Sequence, residues 1–240
     1  MISNNQSTFE VKILNSKFQI YTASLAIRMK TRMSHHDSQK NWDANIFCKE
    51  LVNLDRDSKV LDAGSGKRAF LAKIATEMGF KHVDSIDIDN LSEETSKEYP
   101  GINHYFAPIE KSGLPENNYD VIGLLSVIEH VKSDKVVIEE ISRILRPGGK
   151  LLLSTDFWPQ PIDTTGIYPY GKDAPEMRIY NLNTVRSLFD LLEEQNFVIP
   201  KQAFDLLQQS SQKLKQKVIH WDRVNRSYTF LYLKLTKKGG

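Results

Sequence analysis

Cysteine is almost missing from this chain: Cys48 is the only one in 240 residues. No internal disulfide can form, which excludes a disulfide-stapled secreted scaffold and leaves a reduced, cytoplasmic setting as the expectation. Long apolar runs are missing too. The strongest, Val121 to Leu125, falls far short of the roughly 20 residues that span a bilayer, so no membrane span is expected. The start, Met1 to Gln6, is polar and lacks the basic-then-apolar pattern of a signal peptide. The Asn-x-Ser/Thr matches at Asn5, Asn90 and Asn225 then read as chance. An excess of one charge is also absent. Lys and Arg number 32 against 30 Asp and Glu, a net charge of +2, which argues against a chain built mainly to coat nucleic acid or an anionic membrane. A local basic patch stays open. The lysines within Gln212 to Lys217 read as a wet face, with no recognition helix or RNA-binding motif beside them.

What is present is a strand–helix rhythm. After a helix at Trp42 to Leu54, strands are expected at Ser58 to Ala63, Val83 to Ile88, Ile102 to Phe106, Tyr119 to Ser126 and Lys150 to Thr155. Helices at Lys67 to Met78, Leu91 to Lys97 and Lys132 to Leu145 lie between the first and second, the second and third, and the fourth and fifth of these. Later come a helix at Leu182 to Gln195 and strands within Phe197 to Leu207 and Ser227 to Leu235. The expected fold is α/β: a doubly wound, mostly parallel seven-stranded sheet with helices on both faces. Its ligand would lie at the carboxyl ends of the strands, where strand order reverses. Residues 1–20 alternate weakly and read as peripheral. Residues 21–43 are polar and carry Arg28, Lys30, Arg32, His35 and His36. This divides the chain into an N-terminal segment, 1–43, able to close as a lid, and a main domain, 44–240. Within the domain, 157–180 breaks the rhythm with four prolines and reads as a lid insertion after the fifth strand.

Four motifs carry chemistry. Val60-Leu61-Asp62-Ala63-Gly64-Ser65-Gly66 ends the first of the regular strands. Its glycines allow a sharp turn and a close ligand, and Asp62 can hold a ligand ammonium. Asp87 ends the next strand, where a carboxylate can accept from ribose hydroxyls; Asp89 is its neighbour and Asp84 comes too early. Next comes Tyr119-Asp120-Val121-Ile122, then Ser126-Val127-Ile128-Glu129-His130. The last is Leu145-Arg146-Pro147-Gly148-Gly149. Gly64-x-Gly66-x-x-Ala69 alone also fits a dinucleotide fold.

Taken in order across Val60 to Ser154, these motifs resemble class I S-adenosylmethionine-dependent methyltransferases, in the small-molecule, type 11-like group. The resemblance implies a Rossmann-like methyltransferase fold and S-adenosyl-L-methionine as cofactor. It implies that Asp62, Gly64, Gly66 and Ser126 surround the methionine end, that Asp87 takes the ribose hydroxyls, and that Ile88 packs on the adenine. Two positions depart from the family pattern. Arg68 stands where a third glycine is usual, and Pro108 stands where an Asp usually binds the adenine amino group. Ile109, Glu110 or backbone must then serve instead.

Methyl transfer to a hydroxyl calls for a base, and His130 is the expected one, with Glu129 binding or orienting. The pair can equally cap the helix that follows. Trp158, Tyr168 and Tyr170 are expected to meet the acceptor, or else to pack over the sheet edge; His220, Trp221 and Arg223 can complete that wall. His35, His36 and Asp37 can close over the cofactor or lie in a solvated loop. No metal is expected, since no third ligand follows at a convincing spacing. The expected acceptor is a small molecule, a sugar or a lipid-linked intermediate, through oxygen. The rival readings are a nicotinamide-dependent oxidoreductase and a non-catalytic partner protein with a cofactor fold.

Overall fold

The computed structural model describes residues 8–239; Met1 to Gln6, with the motif at Asn5, lie outside them. Eight strands form the sheet: β1 (Phe9–Ile13), β2 (Lys59–Ala63), β3 (His82–Asp87), β4 (Asn103–Phe106), β5 (Tyr119–Leu125), β6 (Leu145–Phe157), β7 (Ile219–Trp221) and β8 (Arg226–Thr236). Their order is β1-β8-β6-β5-β2-β3-β4, with β7 paired to β8. The strands β2 to β6 run parallel, while β8 lies antiparallel to both β6 and β1. From β2 the chain winds one way through β3 to β4, then returns to β5 on the other side of β2 and winds outward to β6. The reversal between β2 and β5 opens a crevice at their carboxyl ends.

Successive side chains of a strand point to opposite faces, and both faces here are covered. Leu61, Ile122, Leu151 and Leu153 join one core, with residues of α5 (Asp134–Ile144), α6 (Leu182–Glu194) and α7 (Ala203–Gln212). Val60, Val121 and Leu152 join the other, with α1 (Lys17–Thr31), α2 (Asn41–Leu51) and α3 (Phe70–Glu77). The short α4 (Glu93–Glu98) follows β3 and is capped by the Ser92 hydroxyl, which accepts from Thr95 N.

Among the described residues the sheet has eight strands rather than seven, and the differences lie at its antiparallel end. Phe9 to Ile13 is not peripheral: it forms the edge strand, with Phe9 and Ile13 buried. The segment from Phe197 holds a single bridge, Phe197 to Lys237, and then becomes α7, because β1 already occupies the place beside β8. Part of the polar stretch from residue 21 is helical. Its inner stripe, Ile20, Ala23, Ile27 and Thr31, is enough to seat α1 on the core.

Candidate functional site

A cleft of ≈ 190 Å³ lies at the reversal point, lined among others by Asp62, Gly64, Ser65, Leu125, Ser126 and His130. From the helical side come Asp43, Ala44, Phe70 and Leu71; from the N-terminal segment His35 and Lys40; and from the stretch after β6, Tyr170. Residues expected from four separate parts of the chain, Asp62 with Gly64, Ser126 with His130, His35, and Tyr170, therefore meet in one place.

The glycine turn and Asp87 are directly joined. Gly66 N donates to Asp87 Oδ2 at 2.7 Å, and Asp89 N donates to Oδ1 at 2.9 Å. Gly64 N reaches Ile86 O at 2.9 Å. Each carboxylate oxygen keeps a second lone pair, so Asp87 can still accept from ligand hydroxyls. Gly64 has φ +73°, and a Cβ there would meet Val127. The third left-handed residue of the turn is Ala69, φ 42°, while Arg68 is exposed beside it.

Asp62 is buried, and its Oδ2 accepts from Leu71 N and Ala72 N, both at 3.1 Å. Burial lifts its carboxyl to about 7, against the pull of those two N–H groups; the nearby Asp87 adds to the rise. Asp43 is also buried, with Ser154 Oγ donating to it at 2.7 Å. Burial lifts it to about 6, although Lys40, Ser154 and backbone N–H groups pull it down. Sequence reasoning missed Asp43. The one available signal was an acid inside the apolar stretch Trp42 to Cys48. Ser126, at φ +55°, has a buried Oγ without a hydrogen-bond partner. Two buried carboxyls and an orphaned hydroxyl in one cleft suit a ligand carrying positive charge and N–H donors, as the amino-acid end of S-adenosylmethionine does.

His130 sits on the short turn 128–130, its N donating to Val127 O at 2.9 Å. Burial holds its imidazole below the ordinary value, with Glu129 opposing and Lys40 and Arg178 assisting. Glu129 is fully buried and lies behind the cleft wall. Its Oε2 accepts from Thr155 Oγ1 at 3.1 Å, and Oε1 has no partner. Arg178 clamps the same turn by donating to the carbonyls of Ile128 and Glu129 while pairing with Asp134 at 2.7 Å.

The three aromatic candidates part company. Tyr170 lines the cleft, its ring edge-on to His130 at 5.1 Å, with Trp221 6.2 Å away. Trp158 instead packs on the α1–α3 core under Lys217, and Tyr168 is surface-exposed away from the cleft lining. Ile88 is exposed next to Asp87, while the Ile109 side chain is buried in the core, so only its backbone can meet a ligand. Of the histidine pair, His35 reaches the cleft and packs edge-on against Phe70 at 5.0 Å. Asp37 caps the turn 38–40. His220 bonds Ser227 and Asp222 at the surface. Among the described residues, no three His, Cys, Asp or Glu side chains gather as a metal site.

A mostly parallel sheet that reverses between β2 and β5, with helices on both faces, is the Rossmann-like fold of the class I S-adenosylmethionine-dependent methyltransferases. Residues 34–202 match the model of a methyltransferase-domain family, and the chain belongs to that family. It is an enzyme, and S-adenosylmethionine is its cofactor. It is 23% identical over 216 residues to the sarcosine/dimethylglycine N-methyltransferase of Aphanothece halophytica, covering 82% of this chain and 76% of that protein. A mouse arsenite methyltransferase is 29% identical over 147 residues, covering 53% of this chain and 38% of that one. Among solved structures, the cyclase SpnF superposes with a TM-score of 0.61 at 15% identity, covering 93% and 95% of the two chains. Phosphoethanolamine N-methyltransferase 2 of Haemonchus contortus, in complex with S-adenosyl-L-methionine, gives 0.59 at 15%, covering 91% and 56%. At such identities the structural likeness establishes the fold alone.

Proposed function

We propose that this enzyme methylates a small-molecule acceptor, or a sugar or lipid-linked one, on oxygen, in a reducing cytoplasm suited to its single buried thiol. One contact supports the reading most: the 2.7 Å bond from Gly66 N to Asp87, which ties the acid proposed for the ribose to the glycine turn whose Gly64 and Ser65 line the cleft. When bound, S-adenosylmethionine supplies an electrophilic methyl on a sulfonium. Asp62, with Asp43 beside it, holds the ammonium end. Gly64, Gly66 and Ser126 line the methionine portion, Asp87 accepts from the ribose, and Ile88 with the backbone at Ile109 flanks the adenine. His130 takes the acceptor proton, and Glu129 positions it from behind through the turn they share. Tyr170, within 157–180, and His35, within 1–43, close the two sides and keep water out. Trp158 and Tyr168 support that flap rather than touch the acceptor.

A nitrogen acceptor is the second reading. It is favoured by the 23% identity over 216 residues to a sarcosine/dimethylglycine N-methyltransferase. A panel of hydroxyl and amine acceptors, scored by S-adenosylhomocysteine release, separates the two readings.

Calorimetry with S-adenosylmethionine, S-adenosylhomocysteine and NAD tests the cofactor assignment. Binding of NAD alone would end it. The Asp87→Ala variant is expected to bind S-adenosylmethionine about fivefold more weakly or worse, the scale of one charge-assisted hydrogen bond at ~1 kcal/mol or more. Unchanged affinity would remove Asp87 from the ribose site.

A pH dependence follows from Asp62. A ligand ammonium needs the carboxylate, but in the free protein that carboxyl titrates at about 7. Affinity should therefore fall as pH drops, about fifteenfold between pH 7 and pH 5.5, with about half a proton released on binding at pH 7. The Asp62→Asn variant keeps an acceptor for Leu71 N and Ala72 N while removing the charge, and should flatten this profile. A wild-type affinity independent of pH across that range would contradict the role given to Asp62.

A further inference from the structure

The helix α1 is apolar on two opposite faces. Ile20, Ala23, Ile27 and Thr31 turn inward and are buried. Phe18, Tyr21, Leu25 and Met29, again at steps of three and four residues, turn outward with exposures of 70%, 61%, 44% and 87%. A surface helix ordinarily shows water a polar face, and a contiguous exposed apolar stripe marks a docking surface.

Charge identifies what docks. No Asp or Glu occurs between Glu10 and Asp37, whereas Lys17, Arg28, Lys30 and Arg32 border the stripe. A groove of ≈ 640 Å³ continues it, running from Lys17 and Tyr21 to Lys217 and His220. A second copy docked on this face would set these cations against their own counterparts. An anionic lipid surface satisfies both features at once, taking the apolar stripe among its acyl chains and the basic rim at its headgroups. The net charge of +2 conceals this, because the acids lie elsewhere in the chain.

We propose that α1 is an interfacial membrane-docking helix that lays its outer stripe on anionic bilayers. Docked in this way, the protein presents to the bilayer the groove that ends at His220, next to Trp221 beside Tyr170.

The test is co-sedimentation of the protein with vesicles of phosphatidylcholine alone and with vesicles of equal parts phosphatidylcholine and phosphatidylglycerol. Binding is expected to be at least about tenfold stronger on the anionic vesicles, and to weaken as the Debye length shortens from about 10 Å at 0.1 M salt to about 3 Å at 1 M. The double variant Phe18→Ser/Met29→Ser should lose binding. The pair Arg28→Gln/Lys30→Gln should lose most of the anionic preference, at about fivefold per charge. Both should keep the wild-type affinity for S-adenosylmethionine, which reports an intact fold independently of the lipid result. Failure of the wild-type protein to bind anionic vesicles overturns the proposal. So does a concentration-dependent dimer in analytical ultracentrifugation that Phe18→Ser/Met29→Ser dissolves, since the stripe would then be a subunit interface.

Discussion

The Gly64→Ala substitution is expected to lower both stability and cofactor affinity, by more than its size suggests. Two costs coincide. The backbone at Gly64 has φ +73°, and an L residue in that left-handed region costs roughly 1–2 kcal/mol. The added Cβ would also stand 2.3 Å from Val127 Cγ2 and 2.8 Å from Cγ1, an overlap of the kind that costs about 1–3 kcal/mol in a packed interior. Val127 cannot simply yield. It packs on the core, follows the left-handed Ser126, and its carbonyl accepts from His130 N at 2.9 Å. Relief of the clash therefore disturbs two cleft residues, Ser126 and His130. A loss of about 2–5 kcal/mol corresponds to a melting temperature lower by roughly 4–20 °C in a domain of this size. Affinity for S-adenosylmethionine should fall more than about tenfold. The Gly66→Ala variant provides the comparison, because nothing lies within 4 Å of a Cβ there and only the backbone cost, at φ +58°, applies. Adding Val127→Ala to Gly64→Ala should recover the steric part of the stability loss and leave the backbone part. Thermal unfolding and calorimetry read both effects. A Gly64→Ala protein that melts and binds like wild type would mean the turn is not as tight as described.

How far the sequence reaches depends on how local each determinant is. The central strands β2, β5 and β6 were legible because each holds a short apolar run, and parallel strands buried on both faces need little else; β3 and the exposed edge strand β4 were legible from the spacing of the turns and helices around them. Asp87 was legible by its position at the end of β3. The edge strand was not: Phe9 to Ile13 takes its register from β8, at the other end of the chain, and its own alternation is weak. The bifacial α1 hid in the same way. Apolar residues on two opposite faces cancel the one-sided periodicity by which an amphipathic helix is recognised. Asp43 is an acid on a helix buried all round, so only its partner Ser154, from β6, reveals that it faces the cleft. Composition picked out Trp158, Tyr168 and Tyr170 alike. The course of the chain after β6 brings only Tyr170 onto His130, and no residue-level property distinguishes it from Tyr168.

Replacing His130 with Ala should leave S-adenosylmethionine affinity within about threefold of wild type while turnover drops about a hundredfold, the usual worth of a positioned base. The separation is expected because the residues proposed to hold the cofactor owe nothing to the imidazole, which stands at the Tyr170 end of the cleft. The sign of its pH behaviour follows from its surroundings. Desolvation keeps the ring below 6.5, so it is neutral at pH 7 and free to accept a proton, and the acid limb of turnover lies under that value. Glu129 is the one neighbour that raises it, so Glu129→Gln should push the limb lower still, whereas His130→Ala should erase it. Asp62 and Asp43 titrate at about 7 and about 6, in an overlapping range, so the comparison is made with S-adenosylmethionine saturating at each pH. If the histidine merely secured the turn 128–130, His130→Ala would melt earlier yet turn over normally once folded. Release of S-adenosylhomocysteine at the wild-type rate by a folded His130→Ala protein would therefore exclude His130 as the base and return both members of the Glu129–His130 pair to a structural role.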